Sequence, residues 1–215
     1  MKPYTHIIWD WNGTLLDDAG WCARIVNAML SKRSLKLLDG LDEYRRVFGF
    51  PVKNYYQKAG FDFSRETFEE LSVEFIQLYY GADTENCRIH TGADDLLKQL
   101  SKLRLTQVIL SASEKTHLAG QVSSYNMAGY FNEIIGLSDT YAKSKIEAGS
   151  DYISGKNIKN AVIIGDTLHD LEVSKALGID CILIANGHQS KDRLLASKAM
   201  VLDDISEVLA IVSAY

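Results

Sequence analysis

The chain has 215 residues, with 23 Lys and Arg against 28 Asp and Glu, for a formal net charge of -5. Phosphate-backbone binding needs clustered basic side chains, and here they are scattered, so no nucleic-acid partner is expected. Cys22, Cys87 and Cys181 lie far apart in no paired motif. That argues against a zinc site or a disulfide framework and suits a reducing cytoplasm. No signal peptide and no membrane-spanning apolar run are visible, so a cytoplasmic location without a membrane partner is expected. Oligomeric state is not legible.

In chain order, His6-Ile7-Ile8-Trp9 reads as a buried strand that ends at Asp10 before the Asn12-Gly13-Thr14 turn. Trp21, Cys22, Ile25, Val26, Met29 and Leu30 then recur at helical spacing. Leu41 to Phe48 and Val52 to Ala59 read as two short helices split by Gly49 and Pro51. Ser64 is a candidate cap for a long helix ending near Gly81. No strand is evident in this stretch.

Beyond it, strands and helices alternate. Strands are expected at Thr106 to Leu110, Glu133 to Gly136, Ala161 to Ile164, Asp180 to Ala185 and, at an edge, Ala199 to Leu202. Helices are expected at Ala93 to Leu103, Glu114 to Tyr125, Lys145 to Ile153, Leu168 to Leu177 and Ile205 to Val212. Apolar strands alternating with helices imply an α/β fold, a doubly wound parallel sheet covered on both faces. The helical stretch after the first strand implies an inserted all-helical cap domain over residues 17–85, with the core formed by 1–16 and 86–215. Ligands of such sheets bind at the carboxyl ends of the strands. Asp10, Ser111 and Asp166 stand at three of those ends.

Asp10-Trp11-Asn12-Gly13-Thr14-Leu15 after an apolar strand resembles the first motif of the haloacid dehalogenase superfamily. Gly165-Asp166-Thr167-Leu168-His169-Asp170 resembles its last motif, and Ser111 and Lys145 the second and third. Order and spacing agree across almost the whole chain. The cap, with Phe48-Gly49-Phe50-Pro51, is similar to that of phosphoglycolate-phosphatase-like members. The resemblance implies a Rossmann-like core and Mg²⁺-dependent hydrolysis of a small phosphorylated substrate. Asp10 would be the carboxylate nucleophile that forms an aspartyl-phosphate. Asp10, the Asn12 carbonyl and Asp166 would hold Mg²⁺. Asp170 would reach the metal through water or orient the lysine. Ser111 and the backbone N–H groups of Asn12 and Gly13 would bind phosphate. Lys145 would neutralise it, with Lys143 as the rival. Ser113 fits the N-cap of the next helix.

Position 12 departs from the family, whose phosphatases mostly carry a second Asp there to protonate the leaving oxygen. An amide cannot do this, and such help is worth roughly 10²–10⁴-fold. The readings left open are a slower phosphatase, a proton supplied by another residue such as His169, or a phospho-ligand-binding or regulatory protein. A phosphonoacetaldehyde-hydrolase-like C–P hydrolase, with Lys53 or Lys58 as Schiff-base lysine, also remains. Arg45, Arg46 and Lys53 in the cap are candidates to meet a substrate carboxylate.

Overall fold

The computed structural model describes residues 3–81, 87–137 and 144–213. Its main strands are β1 (His6–Trp9), β4 (Thr106–Glu114), β5 (Glu133–Leu137), β6 (Ala161–Gly165), β7 (Asp180–Ile184) and β8 (Met200–Leu202). They form one six-stranded sheet in the order β5-β4-β1-β6-β7-β8, with every pairing parallel. The chain runs outward from β1 through β4 and β5, then crosses back to β6 and continues to β7 and β8. The winding therefore reverses between β1 and β6, where an open α/β sheet leaves a crevice for ligands. Trp9 pairs with Ile164 across that boundary, so Asp10 and Asp166 leave the sheet side by side.

The two-residue period of a strand explains the two faces. Ile7, Trp9, Ile109, Val162 and Ile164 point to one face. There they meet α5 (Ala93–Leu100), α6 (Lys115–Ser124) and α10 (Val208–Ser213) through Leu96, Leu97, Leu118, Val122 and Val208. Ile8, Leu110 and Ile163 point to the other face. They pack on Ala148 of α7 (Lys145–Gly155) and Val173 of α8 (Leu168–Leu177). Gly178 ends α8 in the left-handed conformation with φ 68°, as its sequence position implies.

The helices α1 (Ala19–Lys32), α2 (Gly40–Val47), α3 (Val52–Ala59) and α4 (Phe68–Gly81) gather their own apolar cluster around Val26, Met29, Leu30, Tyr44, Tyr56 and Leu71. The chain passes between sheet and helices along two very short strands, β2 (Leu16–Asp17) and β3 (Arg88–Ile89), paired antiparallel. Two residues carry no readable periodicity, which is why this ribbon leaves no trace in the sequence pattern. The expected return from cap to core, between residues 85 and 86, lies outside the described residues.

Several element ends differ from the sequence reading. The cap of α4 is Thr67, not Ser64: the Thr67 Oγ1 accepts the Glu70 N–H, and the Glu70 carboxylate accepts the Thr67 N–H. This reciprocal box outcompetes Ser64, whose N–H is held by Asp62. The cap of α6 is Glu114, whose carboxylate accepts the Thr116 and His117 N–H groups, leaving Ser113 free for another partner. Strand β4 runs on to Glu114 past a register shift after Leu110. A short helix, α9 (Lys191–Ala196), has no counterpart in the sequence pattern.

Candidate active site

The first turn after β1 is forced by close packing. Gly13 has φ +77°, and a Cβ there would lie 2.3 Å from Asp166 Oδ2. A Cβ at Gly187 would lie 2.1 Å from the same oxygen, and one at Gly165 would lie 2.2 Å from Asp170 Cγ. Three glycines thus clear the space that the carboxylates occupy.

In that space the strand-end acids and the lysine meet. Lys145, the first residue of α7, donates to Asp10 Oδ1 at 2.5 Å and to Asp170 Oδ1 at 2.6 Å. The Ser144–Glu147 capping box fixes the start of that helix and so aims the lysine. Asp170 Oδ2 accepts the Thr167 N–H and hydroxyl, which leaves Oδ1 for Lys145. Asp166 is not a helix cap; Thr167 takes that place. Asp166 Oδ2 accepts the His188 N–H at 2.6 Å, and its Oδ1 accepts the Thr14 hydroxyl at 3.1 Å. Asp10, Lys145, Asp166 and Asp170 are all buried.

Charge is not balanced here. Three carboxylates, with oxygens within 4.8 Å of one another, face one ammonium. Burial first, and the neighbouring carboxylates second, push Asp10 up to about 7 against the pull of Lys145. Burial likewise pushes Asp166 up to about 6. Asp170 goes the other way: burial would raise it, but Lys145 and Thr167 hold it below the ordinary range. Burial would also lower Lys145, and the two carboxylates hold it above its ordinary value instead. A buried all-oxygen site with surplus negative charge fits a hard divalent cation, and the residues present suit Mg²⁺.

A second polar cluster lies on the other side of Gly13. Its centre is Asp18, at the N-cap of α1. Asp18 Oδ2 accepts the Asn12 amide at 2.8 Å and the Tyr79 hydroxyl at 2.6 Å. Asp18 Oδ1 accepts the Gly13 N–H at 2.9 Å and meets His188 Nε2 at 3.1 Å. His188 Nδ1 lies 2.8 Å from the Tyr44 hydroxyl, and its ring stacks on Phe48 at 4.8 Å. Burial would raise Asp18 and lower His188, but each is held in its charged form by the other: Asp18 falls and His188 rises to about 9. Cys22 completes the group, 3.9 Å from Asp18, with its thiol pushed up by burial. Both His188 nitrogens and both Asp18 oxygens have partners, so this cluster needs no ion.

Asn12 and Gly13 both make bonds to this second cluster. The Gly13 N–H, expected on phosphate, is held by Asp18 Oδ1 and the Leu16 carbonyl. Glycine is needed there for the room it leaves Asp166. The Asn12 side chain is fully engaged, donating to Asp18 and Tyr79 and accepting from Ser113 Oγ at 2.9 Å. Ser111 is buried at the end of the regular part of β4, its Oγ accepting the Ser113 N–H. Lys143 lies outside the described residues.

The helical cap is bonded to the core beside the site. Arg45 donates to the Asn186 and Gly187 carbonyls at 2.7 and 2.8 Å, so it clamps cap to core. Arg46 and Lys53 are exposed, and Lys53 sits 5.4 Å over the Phe63 ring. Among the described residues, none of the three donates a hydrogen bond to the Asp10 cluster. Lys58 is exposed as well, and His169 stacks under Phe50 at 4.5 Å. The sequence alone does not single out Asp18, Tyr79 or His188 as members of a site. His188 carries a signal: it follows β7, at a strand's carboxyl end, where ligand-side residues gather.

Known proteins share this architecture. A curated phosphoglycolate phosphatase of Pseudomonas savastanoi is 24% identical over 217 residues, covering 94% of this chain and 78% of the relative. A haloacid dehalogenase-like hydrolase from Streptococcus pneumoniae superposes with a TM-score of 0.83 at 20% identity, over 98% of this chain and 99% of that one. A predicted phosphatase from Clostridium acetobutylicum gives 0.80 at 21% identity, over 100% of both chains. The profile of the haloacid dehalogenase-like hydrolases matches residues 7–184, most of the chain, and with the sheet order and the buried acid cluster this makes the protein a member of that family.

Proposed function

We propose that this haloacid-dehalogenase-like phosphatase hydrolyses a small phosphomonoester, of the kind that 2-phosphoglycolate represents, through an aspartyl-phosphate on Asp10. The observation that supports it most is the buried cluster of Asp10, Asp166 and Asp170, in which one lysine pairs with Asp10 and Asp170 and negative charge is left over. Asp10, the Asn12 carbonyl and Asp166 would hold Mg²⁺, with Asp170 behind them; the ion supplies neutralisation of substrate charge. No helix among the described residues is long and apolar enough to cross a membrane. The three free cysteines suit the cytoplasmic location expected from the sequence.

One Asp10 oxygen attacks phosphorus as the ester oxygen leaves. Lys145, hydrogen-bonded to Asp10 Oδ1, offsets the charge carried by the phosphoryl oxygens. Ser111 stands at the adjacent strand end to receive one of those oxygens. Water then attacks phosphorus, frees phosphate and restores the Asp10 carboxylate. The shut cap keeps bulk water from this chemistry, and it must open to admit substrate. Asn12 offers no proton to the leaving oxygen, so alkyl phosphates turn over more slowly than aryl ones, by roughly 10²-fold or more in kcat.

The test is Mg²⁺-dependent phosphate release from p-nitrophenyl phosphate and a panel of small alkyl phosphates that includes 2-phosphoglycolate. Asp10→Asn should lower wild-type turnover on the order of 10³-fold or more. A wild type inert on every substrate, with or without Mg²⁺, would overturn the hydrolase reading in favour of a phospho-ligand-binding protein.

A further inference from the structure

Asn12 stands out because it is no loose substitute for a carboxylate. Its amide hydrogens go to Asp18 Oδ2 and the Tyr79 hydroxyl, and its oxygen takes the Ser113 hydroxyl. A carboxylate is present after all, one hydrogen bond away, on residue 18 instead of 12. We propose that Asn12 and Asp18 are a matched positioning pair, amide on the nucleophile loop and carboxylate on the cap, which fixes the loop only when the cap is shut. This builds on the phosphatase reading above.

The balance of donors and acceptors makes the pair specific. Asp18 accepts from five groups: the Asn12 amide, the Gly13 N–H, the Cys22 thiol of α1, the Tyr79 hydroxyl of α4 and the His188 ring after β7. With Asn12 oriented as the Ser113 hydroxyl now holds it, an amide at 18 fails in either orientation, and in every orientation it removes the charge that faces His188. With nitrogen toward Asn12, two donors meet; flipped, nitrogen meets the Gly13 N–H and His188. A carboxylate at 12 facing Asp18 sets two acceptors, both charged, at the 2.8 Å now spanned by a hydrogen bond. Adding the carboxylate that the family usually has at 12 should thus harm this chain.

Exchanging the two residues keeps every hydrogen bond of the pair, with His188 now facing an amide oxygen and the carboxylate moved to position 12. The amide placed at 18 would donate to the carboxylate placed at 12, and its oxygen would still accept from Gly13 and His188. Tyr79, which sits 2.6 Å from Asp18 Oδ2 and 3.0 Å from the Asn12 nitrogen, would reverse its hydroxyl: it would donate to the carboxylate at 12 and accept from the amide at 18. Ser113 would still donate to position 12. Tyr79 belongs to the cap and His188 touches Tyr44 and Phe48 of the cap, so losing the pair loosens closure. Loss of closure raises KM and lowers kcat together. A plain folding defect lowers the active fraction and leaves KM alone.

The experiment is a four-protein cycle: wild type, Asn12→Asp, Asp18→Asn and the double exchange. Each is measured for kcat and KM on p-nitrophenyl phosphate with Mg²⁺, and for its thermal unfolding midpoint. Each single change should cost about tenfold or more in kcat/KM, with KM raised, and the exchange should return to within about threefold of wild type, since contacting residues couple strongly. The unfolding midpoints should follow the same pattern. Losses that simply multiply in the double variant, or an Asn12→Asp protein faster than wild type, would overturn the pairing. If wild type shows no turnover, the phosphatase reading fails, and the unfolding cycle still decides the pair: recovery in the exchange supports it and additive loss removes it.

Discussion

Two buried polar clusters flank Gly13, and they solve opposite problems with the same residue types. On one side Asp10 and Asp170 share a single lysine with Asp166 beside them, and Asp10 and Asp166 are pushed up. On the other side one aspartate, Asp18, faces one histidine and a set of neutral donors, and it is pulled down. Burial acts in the same direction on all of these acids; what differs is the count of compensating partners. The under-compensated cluster is the one we propose takes a cation and an anionic substrate. The compensated cluster has nothing left to bind, and joins the nucleophile loop to the cap. Lys145→Met attacks the first cluster alone. It should lower kcat by roughly 10²–10³-fold, the usual loss when a group that stabilises transition-state charge is removed. It should also destabilise the protein by about 3–5 kcal/mol, because two buried carboxylates lose their partner. Phosphate release and chemical denaturation measure the two effects. A variant that keeps full turnover would show that Lys145 only balances charge.

The two clusters also differ in how far they can be read from the sequence. Asp10, Ser111 and Asp166 are recognisable because strand ends in a doubly wound sheet share one edge, and β1, β4 and β6 are neighbours. Lys145 and Asp170 follow from motif order. The Asp18 cluster is hidden because its members belong to different elements that only the fold brings together; Asp18 and His188 are 170 positions apart. Asp18 looks like a plain helix start, Tyr79 like one more apolar position on α4, and His188 like a loop residue. Local competition explains the smaller misses. Ser64 and Ser113 each have the chemistry of an N-cap, but Thr67 with Glu70 and the carboxylate of Glu114 bind the free helix N–H groups in their place.

The sign of the charge imbalance can be tested through pH. Burial pushes Asp10 up to about 7 and Asp166 up to about 6, from an ordinary value of 3.8 for both. Where the folded value is raised, the folded protein holds protons that the unfolded chain has lost. Their contribution to stability is therefore fully present below the ordinary value and is lost as pH rises through the folded values. His188 acts in the same direction at higher pH, its stabilising charge being lost near 9. In the proposed site Mg²⁺ would bind the deprotonated carboxylates, so its stabilising effect should grow as those protons leave. The rise in unfolding midpoint on adding Mg²⁺ should thus be clearly larger near pH 8 than near pH 5. A shift that is equal at the two values, or larger in acid, would mean that the ion does not sit on these groups.

The smallest expected effect concerns the rim of the closed cap, and it sharpens the role given to the Asp18 cluster. Arg193 of α9 reaches across to the cap and donates to the Phe48, Arg45 and Arg46 carbonyls at 2.5, 3.2 and 3.3 Å. These carbonyls end α2, so a guanidinium there satisfies groups with no partner in the helix and lies at the negative end of its dipole. The contact is only part-buried, and water replaces much of what Arg193→Ala removes. A net loss of about 1 kcal/mol is reasonable for such bonds. If all of it falls on the closed state, KM should rise by about fivefold, with the unfolding midpoint lowered by no more than about 2–4 °C. The buried Asp18 cluster has no water to fall back on, so Asp18→Asn should raise KM further and also lower the midpoint. Steady-state kinetics on the two variants side by side compare them directly. Equal increases in KM would place closure at the rim, and the Asn12–Asp18 pair would then be holding the loop without holding the cap.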